Sequence, residues 1–186
     1  MQAIATELPD VWILEPRVFA DTRGFFYESY HEAKFAALGI HVRFVQDNHS
    51  HSVRGTLRGL HYQHPFPQAK LCRVVQGEVL DVAVDVRLGS PTFGRSVAVL
   101  LSAENRRQIF VPHGFAHGFV VLSETADFLY KCDELYHPEA DRGIAWDDPD
   151  LGIDWRLAGT PLLSDKDRRH PRLCDTDAAH LPRYEG

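Results

Sequence analysis

The chain is short of cysteine, positive charge and long apolar runs, and each shortage narrows what it can be. Its 186 residues include three cysteines, Cys72, Cys132 and Cys174, an odd and widely spaced set with no C-x-x-C pair. Neither a disulfide framework nor a thiolate metal site fits that pattern, and reduced packing cysteines in a cytoplasm are expected. Lysine and arginine number 20 against 26 aspartates and glutamates, a formal charge of −6. General nucleic-acid binding needs a basic field, so it is excluded, and an anionic ligand would have to be met by a local cationic pocket. No stretch approaches the roughly 20 apolar residues that span a bilayer. The opening residues MQAIATELPD have neither the basic region nor the apolar run of a secretory leader. A G-x-G-x-x-G fingerprint and a Walker loop are also missing, which leaves no visible redox-cofactor or nucleoside-triphosphate site. There are no internal repeats and no low-complexity tracts.

The composition that remains, 44% hydrophobic and 25% charged, is that of a globular chain able to bury a core. Its length suits one domain over residues 1–186. Strand signals dominate. From Val79 to Arg87, Leu80, Val82, Val84 and Val86 fall on one face and Asp81, Ala83, Asp85 and Arg87 on the other. Further strands are expected at 11–20, 24–30, 42–48, 56–63, 69–76, 94–102, 107–111, 117–123 and 125–136. Turn signals at Gln76-Gly77, Leu88-Gly89-Ser90-Pro91 and Pro112-His113-Gly114 separate several of them. One short helix is expected from Glu32 to Leu38, stopped by Gly39, and a second beginning within Asp165 to Arg169. Many short strands without repeated helical crossovers indicate a mainly β fold, an antiparallel jelly-roll sandwich with a few short helices. From about residue 138 the pattern decays into a turn-rich tail, expected to pack on the sandwich.

The chemistry concentrates in Thr56-Leu57-Arg58-Gly59-Leu60-His61-Tyr62-Gln63 and in Lys70. Arginine grips phosphate or carboxylate with a planar fork, histidine moves protons near neutral pH, and a lysine can hold a developing oxyanion. Together they suit an anionic substrate that reacts through an enolate. Asp167 is a candidate to orient the His61 ring, as carboxylates do in His–Asp dyads. Tyr130, on one face with Phe128 and Cys132, is a candidate proton donor from the side opposite His61, which is what inversion at a carbon requires. Strand parity opposes Arg58 to His61. Either Gly59 marks a bulge or the two residues serve different ends of a long ligand. Two histidine pairs, His49/His51 and His113/His117, resemble metal ligands. Neither fits: glycines and a proline disfavour a helix around the second, and no glutamate follows the first. No metal is expected.

Read together, Asp21-Thr22-Arg23-Gly24-Phe25-Phe26, Arg58-Gly59-Leu60-His61-Tyr62-Gln63, Gly89-Ser90-Pro91-Thr92-Phe93-Gly94, Gly114-Phe115-Ala116-His117-Gly118-Phe119 and Leu163-Ser164-Asp165-Lys166-Asp167 resemble the dTDP-4-dehydrorhamnose 3,5-epimerases. The resemblance implies a cupin-type jelly roll and a cofactor-independent, metal-free inversion at C3 and C5 of a dTDP-4-keto-6-deoxy sugar, in dTDP-L-rhamnose biosynthesis. It makes His61 the base with Asp167 as its partner, Tyr130 the proton donor, and Lys70 the group that steadies the enolate oxygen. It places Arg58, Arg23, His117 and Lys166 around the diphosphate, and Tyr136 on thymine. Gln46, Asp47, Asn48 and Glu28 match other nucleotide-sugar contacts, with Phe26 in the same N-terminal segment. Asp141 stands where many relatives carry glutamate. The resemblance also implies a homodimer whose early strands pair with the second subunit. Three rivals stand beside it: a single-centre epimerase for another dTDP-deoxysugar, a metal-dependent cupin, and a non-catalytic nucleotide-sugar binder.

Overall fold

Short strands joined by tight turns account for most of the ordered backbone. The computed structural model describes residues 1–186 and contains thirteen strands. In chain order they begin with β1 (Gln2–Ala5), β2 (Trp12–Glu15), β3 (Val18–Asp21), β4 (Gly24–Tyr27), β5 (Gln46–Val53), β6 (Leu57–Gln63) and β7 (Lys70–Gln76). They continue with β8 (Glu78–Asp85), β9 (Ser96–Ser102), β10 (Gln108–Val111), β11 (Phe115–Val121), β12 (Thr125–Cys132) and β13 (Asp141–Gly143). Six form one sheet in the order β1-β2-β10-β7-β12-β5, and five form a second in the order β13-β6-β11-β8-β9. Every neighbouring pair in both sheets is antiparallel. The result is the expected jelly-roll sandwich, with β3 and β4 standing apart as a hairpin.

The core has three parts. Between the sheets, Cys72, Val74, Ile109, Val111, Ala126 and Phe128 meet Val79, Ala83, Val99, Leu101, Phe115 and Phe119. On the far side of the five-stranded sheet, Leu57, Leu60, Leu80, Val82, Val84 and Val120 are covered by Ile144, Leu151, Trp155, Leu173 and Leu181 from the tail. On the far side of the six-stranded sheet, Leu14, Leu71 and Phe110 pack on Phe35 and Ile40. Phe35 comes from the one α-helix, α1 (Glu32–Ala37), which ends where Gly39 takes φ = +88°. Burying each of these large side chains contributes about 1.5–3 kcal/mol. β8 therefore keeps its alternation, yet both faces are buried: the tail covers the Leu80 face, while Asp81 and Asp85 lie inside at 0% exposure.

Several boundaries differ from the sequence reading. The expected strand 11–20 splits into β2 and β3, and the expected 42–48 is displaced to β5 at 46–53. Val42 and Phe44 alternate as in a strand, but they pack against the Leu14–Phe35 cluster instead of pairing. β12 stops at Cys132, and the following residues form a loop instead of continuing to 136. The helix expected within 165–169 is a single 3-10 turn at Asp167–Arg169. β1 and β13 carry too few residues to show a period.

Candidate active site

Moving along the inner faces of β7, β11 and β12, the apolar core gives way to polar side chains. On β12 the sequence of inward residues runs Ala126, Phe128, Tyr130, and Tyr130 pairs with Cys72 while Cys132 pairs with Lys70. Tyr130 and Lys70 thus rise from the same sheet face. From the opposite sheet, β6 and β11 bring Arg58, His61 and His117. The register resolves the parity difficulty: His61 pairs with His117 and Arg58 with Phe119, so Gly59 and Leu60 together oppose Gly118. This is a bulge, and it turns Arg58 and His61 toward the same hollow. Only glycines permit it. A Cβ at Gly59 (φ = +131°) would lie 2.6 Å from Gly118 Cα, and one at Gly118 would lie 2.7 Å from the Arg58 carbonyl oxygen.

The hollow is a cavity of about 250 Å³ lined by Arg58, His61, Lys70, His117, Tyr130, Lys166 and Asp167, with Ser50, Phe119, Phe128 and Ser164. A second compartment of about 160 Å³ shares His61, Lys70, Tyr130 and Lys166 with it and adds Tyr62, Gln63, Gln68, Tyr136 and Asp141. The pair forms a long cleft with three cationic groups, Arg58, Lys70 and Lys166, on its walls, in a chain whose overall charge is negative. Such a cleft suits an elongated anion.

His61 Nε2 lies 2.6 Å from Asp167 Oδ1. Asp167 is buried, and its backbone N–H donates to Ser164 Oγ at 3.1 Å. Burial alone would raise the Asp167 carboxyl, but hydrogen bonding and charge from His170, His61 and Ser164 outweigh it and hold the group well below the usual carboxylate range. Burial moves His61 the other way, below its ordinary 6.5, and the Asp167 contact only partly offsets this. Its ring is therefore mostly neutral at pH 7. With Nε2–H donated to the carboxylate, Nδ1 keeps the basic lone pair. Burial pushes the Tyr130 phenol up to about 12, so it keeps its proton. Two groups driven apart in this way are suited to opposite roles, a base and an acid.

Lys70 is 8% exposed, has no carboxylate partner, and donates to the His61 carbonyl oxygen at 3.4 Å. Arg58 Nε donates to Ser52 Oγ at 3.1 Å. The buried Asp81 accepts from His117 Nε2 at 2.9 and 3.0 Å. Lys166 pairs with Asp141, which also accepts from Tyr136 Oη at 2.8 Å. The loop after β12 is tied down by Gln63, which donates to the carbonyls of Phe66 and Leu135 and accepts from the His137 N–H. Gln46 Oε1 accepts from the Tyr136 N–H at 2.9 Å. That network sets Tyr136 at the cleft mouth.

A family model described as dTDP-4-dehydrorhamnose 3,5-epimerase matches residues 5–175. The chain belongs to that family. It is 58% identical to the dTDP-4-dehydrorhamnose 3,5-epimerase of Pseudomonas aeruginosa over 178 residues, 95% of this chain and 98% of the other. Among solved structures it is similar to dTDP-6-deoxy-D-glucose-3,5-epimerase from Legionella pneumophila in complex with dTDP-4-keto-L-rhamnose, with 53% identity and a TM-score of 0.97 over 100% of this chain and 99% of that one. A 3'-monoepimerase from Streptomyces bikiniensis in complex with dTDP-quinovose is more distant, at 38% identity and a TM-score of 0.91 over 96% and 92%.

Of the residues that the family resemblance singles out, the structure brings nine into the cleft: His61, Lys70, Tyr130, Asp167, Arg58, His117, Lys166, Tyr136 and Asp141. Gln46 and Asn48, hydrogen-bonded to each other at 3.1 Å, line neither compartment, but they share the sheet face of Tyr130 through their pairing with Cys132 and Tyr130. Four others are not brought to the cleft. Asp47 contacts Lys131 on the outward face of β5. Arg23 pairs with Asp21 at the tip of the β3–β4 hairpin, Phe26 is 70% exposed there, and Glu28 pairs with Lys34. The sequence reading passed over Ser50, Ser164, Asp81 and His170. Ser50 lay within reach, because it follows the Gln46, Asn48 parity of β5. His49 and His51 point outward and both contact Asp127, while His113 contacts Asp133.

Proposed function

We propose that this chain inverts C3 and C5 of a dTDP-4-keto-6-deoxy sugar, with His61 Nδ1 as the base. A C–H beside the C4 ketone can be lost only if the enolate oxygen is stabilised where its charge forms. In this reading Lys70 Nζ meets that oxygen, the nearly uncommitted ammonium in a buried position. His61, kept neutral by burial and aligned by Asp167, takes the proton. Tyr130, on the facing sheet, returns one from the other side. Arg58, His117 and Lys166 hold the diphosphate, and Tyr136 stacks on thymine, a contact worth about 1–3 kcal/mol. Gln46 and Asn48 contact the nucleotide-sugar from β5, and Asp141 contacts it while holding Lys166.

One observation carries the proposal: the His61–Asp167 pair, Lys70 and Tyr130 line a single cavity while coming from both sheets and the tail. Residues 1–186 accordingly act as one catalytic domain, because Asp167 of the tail completes a site on the sandwich. Arg23, Phe26 and Glu28 take part through a homodimer in which the β3–β4 hairpin of one copy reaches the cleft of the other. The exposed Phe19, Phe25 and Phe26 of that hairpin, at 53, 57 and 70%, supply an apolar surface for the contact. Light scattering that gave a monomer would remove this part. The chemistry proceeds in a cytoplasm, in keeping with three unpaired thiols. The catalytic assignment is tested with His61→Ala, which should lose proton exchange into the sugar while dTDP still binds. Retained exchange would remove His61 from the role of base.

A single-centre epimerase is the second reading, favoured by the likeness to the Streptomyces bikiniensis monoepimerase. The same residues would serve both reactions, and the number of exchanging carbons separates them.

A further inference from the structure

His170 has no part in the reaction described above, yet its ring is fixed against the His61–Asp167 pair. It lies three residues beyond Asp167 with a tenth of its side chain exposed, and its Nε2 is 3.5 Å from the same Oδ1 that His61 contacts. The two imidazoles meet edge-on with centroids 5.4 Å apart. β13 passes so close that a Cβ on Gly143 would lie 2.4 Å from the ring's Cε1 and Nε2, so that strand position has room only for glycine. Although buried, His170 Nε2 has only this long approach to Asp167 and makes no well-formed hydrogen bond. A buried polar atom left in that state is uncommon and calls for an explanation.

Two imidazole nitrogens and one carboxylate oxygen lie here within 4.8 Å of one another. Two histidines with a carboxylate are a ligand set of open zinc sites, with the fourth position left to water. Zinc about 2.0–2.2 Å from each ligand sets tetrahedral neighbours about 3.3 Å apart. The 3.5 Å His170–Asp167 contact matches that spacing, and the 2.6 Å His61–Asp167 hydrogen bond would lengthen by about 0.7 Å to admit the ion. His61 and Asp167 both line the cavity, which supplies the entry path.

We propose that His61, Asp167 and His170 bind a divalent transition cation of the zinc class, and that an occupied site cannot epimerise. The second part rests on the reading of His61 as the base. A neutral imidazole carries one N–H. When Nε2 coordinates a metal, that hydrogen moves to Nδ1, the atom that must accept the substrate proton. No proton is gained or lost by the ring in the exchange. Metal and catalysis therefore compete for one histidine, while the groups assigned to dTDP stay in place.

Chelator-treated protein is titrated with Co2+, read by its visible absorption, and with Zn2+, read by solvent deuterium exchange into the substrate. One Co2+ per chain is expected, with Zn2+ displacing it and exchange falling in step with occupancy and returning on chelation. His170→Ala and the milder His170→Gln should weaken metal binding about tenfold or more, since even outer-shell changes cost 10–100-fold. The double variant His49→Gln/His51→Gln, which removes the exposed pair, should behave as wild type. Wild-type Co2+ affinity in both His170 variants, or loss of binding in the His49/His51 variant, overturns the site. Full Zn2+ occupancy with undiminished exchange overturns the competition and the reading of His61 as base, while absent Co2+ binding overturns the site and leaves that reading untouched.

Discussion

Asp167→Asn separates alignment of the base from its presence. The carboxylate does two things in the structure: at 2.6 Å it fixes which nitrogen of His61 carries hydrogen, and its charge raises the His61 pKa against burial. Asparagine fills the same space without the charge and can present its amide N–H₂ to the ring, which would place the imidazole hydrogen on Nδ1. An equivalent change in a serine-protease triad lowers kcat about 10⁴-fold through the wrong tautomer. Here, with the ring also held by the walls of the cleft, we expect a loss of about 10²–10⁴. The sign of the pH effect is fixed as well. His61 already titrates below 6.5 because burial outweighs Asp167, and removing the carboxylate leaves burial unopposed. The acid limb of kcat/KM should therefore move to lower pH while the plateau falls. The assay is kcat/KM against pH alongside dTDP binding. A limb that stays put or moves up, or a plateau loss under about tenfold, would refute this coupling.

Three further predictions concern the acid, the bulge and the buried ion pair. Tyr130→Phe should depress net epimerisation more than solvent exchange, and equal loss of both would contradict a role confined to reprotonation. Gly59→Ala should destabilise the chain by about 1–3 kcal/mol through backbone strain and contact with Gly118, and should lower activity because Arg58 and His61 are re-aimed. Urea unfolding indistinguishable from wild type would contradict the bulge geometry. Asp85, at 0% exposure, accepts hydrogen bonds from Arg87, Ser90 and Thr92 that hold its pKa below 3.8 despite burial. Its contribution is full above that value and fades as pH falls through the lower, folded one. Asp85→Ala should cost about 3–5 kcal/mol at pH 7, because Ser90 and Thr92 lose their buried acceptor and Arg87 keeps only the more distant, exposed Asp10 carboxylate, and a change below about 1 kcal/mol would count against it.

The sandwich was legible because its core strands follow the period of two. β8 shows this best, since Leu80, Val82 and Val84 share one cluster as their spacing requires. β5 was misplaced for a reason tied to function. Its inner residues Gln46, Asn48, Ser50 and Ser52 are polar on the face where Ser50 lines the cleft, and its outer residues Asp47, His49 and His51 are polar too, so no hydrophobic alternation marks the strand. That Arg58, His61 and Lys70 share one hollow was suggested by residue types close together in the chain. The contact between His61 and Asp167 spans 106 positions, and nothing in local spacing encodes it. His170 was invisible for the same reason: its meaning lies in a carboxylate and a glycine strand that only the folded tail brings beside it. The bulge at Gly59 was one of two open options, and the pairing of β6 with β11 decides between them.

The decisive measurement is NMR in D₂O with dTDP-4-keto-6-deoxyglucose, counting the sugar carbons that take up deuterium. Wild type should exchange at both C3 and C5, and His61→Ala at neither while still binding dTDP. Exchange that persists without the His61 imidazole would contradict the account at its centre, and exchange confined to one carbon in wild type would reduce the double inversion to a single one.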